Sequence, residues 1–405
     1  MIVAGSPGVH LTYCTNIHRG ETWDEVLQNI RSYVCDVKAR VCPDRPFGIG
    51  LRLSAVAARQ LAAPDVLASF RHFLEQSGLY VFTVNGFPYG PFAGAPVKER
   101  VYRPDWLEDE RVAYTDELAR ILAAVAPANV DASISSVPGC FRARGTLAEV
   151  GPEIAARLRR QAATLWSLRE TTGRTVTLAL EPEPHCVMET TADAAAFFEQ
   201  FVLAAASVRE LSALTGLSHA RAEQVLRHHV GVCLDACHAA VEFESPEEAV
   251  GRLTAAGIRI LKVQVSAGLR VPKPDAVALS ALERFAEDVY LHQVVVRTGD
   301  QLTRFADLPD ALSAAAVGAD TDRGDEWRVH FHVPLFRERL GPFLNTQTFL
   351  EPLLALLAST DACRHLEVET YTWDVLPIEY RRQPVVEAIA RELTWTLGRL
   401  RVGAS

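Results

Sequence analysis

Short apolar runs alternate with amphipathic stretches along almost the whole of this 405-residue chain, and that alternation constrains the fold more than any single motif does. Eight runs read as strands: residues 10–16, 47–54, 79–85, 129–135, 176–181, 230–235, 259–266 and 365–370. Each tends to end near Asn, Gly or Pro and to run into a polar loop, as a βα unit does. Between the first two, Trp23, Val26, Leu27, Ile30 and Val34 recur at helical spacing, and similar patterns fill 57–76, 114–125, 153–172 and 193–214. Eight strands with intervening helices imply a parallel sheet, and eight is the number that closes a (β/α)8 TIM barrel. Residues 275–335 do not fit one repeat. They hold two further apolar runs, 290–297 and 327–334, separated by a Gly/Asp-rich stretch at 318–325. The segment reads as an insertion between the seventh and eighth strands, a hairpin being one form for it, although either run could supply a barrel strand instead. No linker, charge block or internal repeat divides the chain, so 1–405 is expected to be a single domain.

Side chains alternate along a strand, and active sites of such barrels gather at the carboxyl ends of the strands. At those ends stand Glu181-Pro-Glu183, Asp235-Ala-Cys-His238, Lys262-Val-Gln264-Val-Ser266 and Glu367-Val-Glu369. A buried carboxylate is costly unless it is paired or metal-bound, so oxygen donors repeated at successive strand ends point to a cation. The expected ligands are Glu181, Asp235, Gln264 and Glu369, with His238 beside them. Three carboxylates and an amide oxygen suit Mn²⁺ or Mg²⁺, with Zn²⁺ as the alternative. Glu369 is preferred to Glu367 because the Thr-Tyr-Thr-Trp after it reads as the start of a loop. The rival reading is that some of these carboxylates pair with Lys262 or with neighbouring arginines.

His238, three residues past Asp235, could face the site or cap a loop. His330 and His332 share one strand face, where His332 could serve as a ligand, a proton relay or a substrate contact. Lys262 points into the barrel and is expected to pair with a carboxylate, as a structural or an electrostatic element. Asn85-Gly-Phe87-Pro-Tyr89-Gly-Pro-Phe could wall the apolar face of a polar ligand or form a tight turn. Asn16 and His18 end the first strand as weaker candidates of the same kind, and His228-His229 read as packing residues.

The totals narrow the partners. A net charge of −9 with no Lys/Arg run argues against nucleic acid. Eight cysteines without a Cys-x-x-Cys pair disfavour a zinc ribbon or thioredoxin-type site, and Cys14, Cys233 and Cys363 in or beside apolar strands suit a reducing compartment. The first residues lack a basic segment followed by an apolar one, and no apolar run approaches the ~18 residues of a membrane span. A cytoplasmic protein is expected, and the reading leaves room for a homo-oligomer. The signatures of nucleotide hydrolysis, nicotinamide chemistry, serine hydrolysis and zincin proteolysis are all missing.

At its strand ends the chain resembles the xylose-isomerase-like barrel superfamily of sugar isomerases, ketose epimerases and endonuclease IV-type enzymes. The resemblance implies a divalent metal at Glu181, Asp235, Gln264 and Glu369, and a family Asp-x-x-His at Asp235 and His238 whose histidine contacts substrate or a second metal. Gln264 departs from the pattern, since a histidine is usual there. Longer stretches, His10-Leu-Thr-Tyr-Cys-Thr-Asn16-Ile-His18, Asn85-Gly-Phe-Pro-Tyr-Gly90, Leu180-Glu181-Pro-Glu183-Pro and His330-Phe-His332-Val-Pro-Leu, look like the Ebo-cluster "metabolite traffic" barrel family, EboE. That likeness implies processing or export of a small cyclic or sugar-like metabolite. The expected activity is metal-dependent isomerisation or epimerisation of a sugar, sugar phosphate or cyclitol. Glu181 and Glu369 would be base and acid, His238 would orient a hydroxyl, and Lys262 or His332 would steady negative charge. Asn16, Asn85, Phe87, Tyr89 and His332 are the expected substrate contacts. A metabolite-binding barrel without turnover and a metal-dependent phosphoesterase are the alternatives.

Overall fold

The computed structural model describes residues 1–3, 8–92, 94, 96–317 and 323–402. Seven barrel strands come first in the chain: β1 (His10–Tyr13), β2 (Phe47–Arg52), β3 (Leu79–Asn85), β4 (Ala132–Ser136), β5 (Val176–Leu180), β6 (Val230–Asp235) and β7 (Ile260–Val265). Six strands of another sheet follow: β8 (Leu269–Val271), β9 (Val294–Thr298), β10 (Gln301–Phe305), β11 (Glu326–Val329), β12 (Arg339–Leu340) and β13 (Phe343–Asn345). The eighth barrel strand is β14 (His365–Val368). The barrel pairs in the order β1-β14-β7-β6-β5-β4-β3-β2, every pairing parallel. A parallel bridge between Cys14 and Gly50 brings the two edge strands together, so the expected (β/α)8 barrel is the fold.

Most barrel strands are buried at every position, which is why they read as near-continuous apolar runs: one face fills the barrel and the other lies under helices. Gly50 is required at the seam. A Cβ there would stand 1.8 Å from Glu367 Oε1 and 2.6 Å from the Tyr13 carbonyl. The helix expected over 57–76 is two, Ala55–Leu61 and Pro64–Ser77, because the residue before a proline is pushed to extended backbone, as Ala63 is, and Pro64 then opens the second helix. The pattern at 193–214 is likewise broken, with extended backbone at Ala204 before the helix Ala205–Thr215.

The insertion is larger than its sequence suggested. Its antiparallel sheet, in the order β10-β9-β11-β8-β13-β12, runs from Leu269 to Asn345 and not merely over 275–335. Strands of two or three residues, such as β8, β12 and β13, carry too little periodicity to be read. The apolar runs 290–297 and 327–334 feed β9 and β11 of this sheet and neither joins the barrel. His330 and His332 therefore do not share a strand; they lie in the connection just past β11. Of the Gly/Asp-rich stretch between the two apolar runs, 318–322 lie outside the described residues.

Two polar clamps hold the insertion to the barrel. Lys98, in the loop after β3, donates to the carbonyls of Glu287 (2.9 Å) and Tyr290 (2.7 Å) and to Asp307 (2.6 Å). On the exit side, Glu392 of the C-terminal helix Val385–Val402 accepts from Leu335 N (3.0 Å) and the Thr370 hydroxyl (2.8 Å). Burial raises the Glu392 carboxyl to about 7. The unfolded chain ionises near 4.5 while the folded chain keeps the proton to about 7, so stability falls as pH rises through that window. Glu392→Gln should flatten this slope and make the protein more stable than wild type at pH 8, by up to about 3 kcal/mol, as read from urea midpoints at pH 5 and pH 8.

Candidate metal centre

Carboxylates from three strand ends meet over the barrel mouth, and a fourth strand carries an amide level with one of them. Glu181 follows β5, Asp235 ends β6, Gln264 stands on β7 and Glu369 follows β14. Register sets Asp235 level with Gln264, and Gln264 level with Glu367. Glu369, two residues further on, is one layer nearer the mouth on the same face. One carboxylate oxygen from each of Glu181, Asp235 and Glu369 lies within 4.8 Å of the other two.

Neutral donors hold Asp235 and Glu369 at one oxygen each. Asp235 caps the helix Ala236–Val241, its Oδ1 accepting from His238 N (2.9 Å) and the Ser266 hydroxyl (2.7 Å), while Oδ2 is buried without a hydrogen-bond partner. Glu369 Oε1 accepts from the amides of Asn16 and Asn85, both at 2.8 Å. Glu181 Oε2 and both polar atoms of the Gln264 amide are buried and unpartnered. Burial, then the charges of Glu369 and Asp235, push Glu181 well above the usual carboxylate range; burial, then Asp235 and Glu367, do the same to Glu369. Such a set is unfavourable as it stands and is relieved by a divalent cation, for which three carboxylates and an amide oxygen are a fitting donor set.

Lys262 does not sit at this point. Its Nζ lies 2.5 Å from Glu367 Oε2 and 3.2 Å from the Ser135 hydroxyl, with lysine and glutamate both fully buried. Although burial opposes its charge, Glu367 holds the ammonium above its usual range. The ion pair expected of Lys262 is thus made with the deeper carboxylate, and Glu369 is left to the mouth.

Three imidazoles adjoin the carboxylates, each with its tautomer fixed. An oxygen of a carbonyl or amide can only accept, so Nδ1 carries the proton in His238 (to Pro182 O, 2.9 Å) and His332 (to Glu369 O, 2.9 Å). In His330, Nδ1 donates to Gln293 Oε1 (2.7 Å), an amide oriented by its NH2 facing Pro184 O (3.2 Å). The Nε2 lone pairs are left facing inward. Those of His238 and His330 are 3.1 Å apart, and His332 Nε2, without a hydrogen-bond partner, is 3.9 Å from Asp235 Oδ2. Two opposed lone pairs repel until a proton or a cation lies between them. Burial and the neighbouring imidazoles hold His330 well below its usual range, and burial brings His332 down to about 4.

Above these groups lies a cavity with ≈ 520 Å³ of space not filled by atoms, part of it open to solvent. Asn16, Asn85, Phe87, Glu181, His238 and Glu369 reach its wall as expected from sequence, whereas Tyr89 packs against Tyr114 (ring centroids 5.1 Å apart) away from it. His18 stacks on Tyr33 instead of entering the cavity, and His229 is a packing residue bonded to Val176 O. Phe92, which closes the 85–92 loop, lines the cavity as that loop was expected to; no role was expected of Glu183, which accepts from the Tyr102 hydroxyl (2.7 Å) and the Gln293 amide (3.2 Å), or of the rings of Tyr290 and Tyr371. The Glu-Pro-Glu spacing signalled Glu183; nothing local marks Tyr290 or Tyr371.

No protein-family model and no curated protein matches the chain. Among solved structures it is similar to a xylose isomerase-like TIM barrel protein from Mycobacterium smegmatis in complex with magnesium, at 11% identity and TM-score 0.47 over 100% of both chains. It is also similar to a xylose isomerase domain protein from Alicyclobacillus acidocaldarius (12% identity, TM-score 0.43, 97% of this chain and 99% of that one). A third likeness is to the probable 3-DHS dehydratase AsbF involved in petrobactin synthesis from Bacillus anthracis (12%, 0.43, 95% and 97%). At such distances the function has to be argued from this chain's own residues.

The buried ion pair offers a check on the layering. Lys262→Met strands Glu367 beside Glu369 and should cost about 3–5 kcal/mol in denaturant unfolding. Replacing both partners, Lys262→Met with Glu367→Leu, should recover most of that loss.

Proposed function

We propose that this protein is a divalent-metal-dependent isomerase or epimerase of a small sugar-like or cyclitol metabolite. The observation that carries the reading is the convergence of the buried carboxylates of Glu181, Asp235 and Glu369, with Glu181 Oε2 and Asp235 Oδ2 left without a hydrogen-bond partner. Glu181, Asp235, Gln264 and Glu369 would hold Mn²⁺ or Mg²⁺, with Zn²⁺ the alternative that the neighbouring imidazoles favour. Bound there, the cation supplies Lewis acidity to adjacent oxygens of the substrate.

The chain's own residues account for the proton transfers. Glu181 and Glu369 enter from β5 and β14, which are separated in the barrel by β6 and β7, so they approach a substrate carbon from different sides. Their upward-shifted carboxyls suit one to take a proton and the other to give one near neutral pH. On Glu369 the two asparagine amides hold Oε1 as an acceptor, which leaves Oε2 for the proton. His238 Nε2, bare by tautomer, accepts from a substrate hydroxyl. Lys262 acts through space, lowering the cost of charge on Glu181 and Glu369 from the layer beneath.

The finer assignment we propose is an EboE-type barrel. Residues from the stretches that carry that resemblance, Asn16, Asn85, Glu181, Glu183 and His330, all line the cavity. Eight free cysteines support a reducing, cytoplasmic setting, and no helix among the described residues is long and apolar enough to cross a membrane.

Elemental analysis should find about one equivalent of metal in the purified protein, and Asp235→Ala should lose it. In deuterium oxide, the metal-loaded protein should exchange the C–H next to the carbonyl of D-fructose, D-xylulose or 2-keto-myo-inositol, followed by NMR. Glu181→Gln and Glu369→Gln should each abolish the exchange. Absence of metal after incubation with Mn²⁺ would overturn the reading; metal without exchange would favour a metabolite-binding barrel.

A further inference from the structure

We propose that the cavity selects an uncharged, hydroxyl-rich monocyclic ligand with an apolar face, and discriminates against the phosphate esters of such a ligand. The inference rests on the isomerase reading and narrows its substrate class.

A cation held by the carboxylates takes up Glu181 Oε2, Asp235 Oδ2 and the Gln264 amide oxygen, while Glu367 belongs to Lys262 in the layer beneath. The buried acceptors left to a ligand are Asn16 Oδ1 on the cavity wall and His332 Nε2 beside it, both without hydrogen-bond partners. Hydroxyl groups donate and so complement both; a phosphate dianion offers only acceptors.

Positive charge is equally committed. Lys98 is the one lysine or arginine among the described lining residues, and an ammonium has three donors. All three are used, on Glu287 O, Tyr290 O and Asp307. Behind the wall, Arg52 is paired with Glu21 (3.0 Å) and bonded to Gly20 O (2.9 Å) and Gly90 O (2.5 Å). Arg111 is spent on Pro104 O, Gly86 O and Phe87 O. Glu181, Glu183 and Glu369 face the space that a phosphate would enter. A cation held by Glu181, Asp235 and Glu369 places its charge at one point, where the reacting oxygens bind, and leaves a remote phosphate against carboxylates and rings.

The roof supplies the apolar face. Phe92, Tyr290 and Tyr371, from the loop after β3, the insertion and the loop after β14, have ring centroids 5.1–5.3 Å apart. Phe87 adds a fourth ring to the wall. The C–H face of a pyranose or cyclitol packs on such rings, whereas an anionic group is repelled by their negative faces.

Ligand-observed NMR on the metal-loaded protein would compare pairs in which the ester leaves the six-membered ring intact: myo-inositol with its 1-phosphate, D-glucose with D-glucose 6-phosphate, and D-mannose with D-mannose 6-phosphate. At least one neutral member should bind, and about tenfold or more tightly than its phosphate. Tyr290→Ala should weaken it while Tyr290→Phe retains it, because the ring face and not the hydroxyl makes the contact. A phosphate ester binding as well as its parent, or no neutral member binding at all, overturns the proposal. Metal content of the same sample tests the isomerase reading separately: a metal-loaded protein that prefers phosphates keeps that reading and loses this one.

Discussion

Negative charge gathered inside a barrel is the constraint to which the rest of this structure responds. Glu181, Asp235, Glu367 and Glu369 stand on or just past neighbouring strands, each almost wholly removed from water. One ammonium, Lys262, lies close enough to neutralise one of them, and it takes the deepest. Of the other three, Glu369 accepts from two asparagine amides and Asp235 from a serine hydroxyl and a helix N-terminus, while Glu181 Oε2 has no hydrogen-bond partner. Neutral donors localise charge without removing it, so the layer at the mouth stays poised for a cation. Gly50 belongs to the same arrangement, because Glu367 occupies the volume that any side chain there would need.

The insertion completes what the barrel strands leave unfinished. At its carboxyl end β7 offers no imidazole, only the amide of Gln264. Nitrogen donors reach the cluster from elsewhere: His238 from the helix after β6, and His330 and His332 from the connection that leaves β11. The fixed tautomers are a property of this second sheet as much as of the barrel. Gln293, the residue before β9, orients His330, while the backbone after β14 orients His332. The same excursion brings Tyr290 over the cavity, held by the Lys98 clamp. The cavity-facing half of the site is therefore an assembly of two sheets, and a change in either alters both donor geometry and access.

Much of this was legible without coordinates, and particular residues show why. Glu181, Asp235 and Glu369 could be grouped because strand alternation fixes parity and every parallel strand delivers its carboxyl end to one rim. Glu369 could be separated from Glu367 by the loop-like residues after it. Lys262 was recognisable as an inward charge in need of a partner, yet which carboxylate it would meet depends on the register of β7 with β14. Tyr89 was misplaced for a related reason: a loop of Gly, Pro and aromatic residues has no period, so nothing local says which rings turn inward. His330 and His332 showed their spacing but not their setting, since the strand before them stops at Val329.

The sequence by itself determined the barrel, the rim on which chemistry would gather and the residue types that would meet there, because all three follow from local periodicity and from the cost of burying charge. Only the tertiary structure decided the pairing of Lys262 with Glu367, the tautomers of three histidines, and the closing of the mouth by Phe92, Tyr290 and Tyr371. Each of those is a contact between segments far apart in the chain. Such contacts are set by how strands register and how an inserted sheet packs back, and no local pattern of residues encodes either.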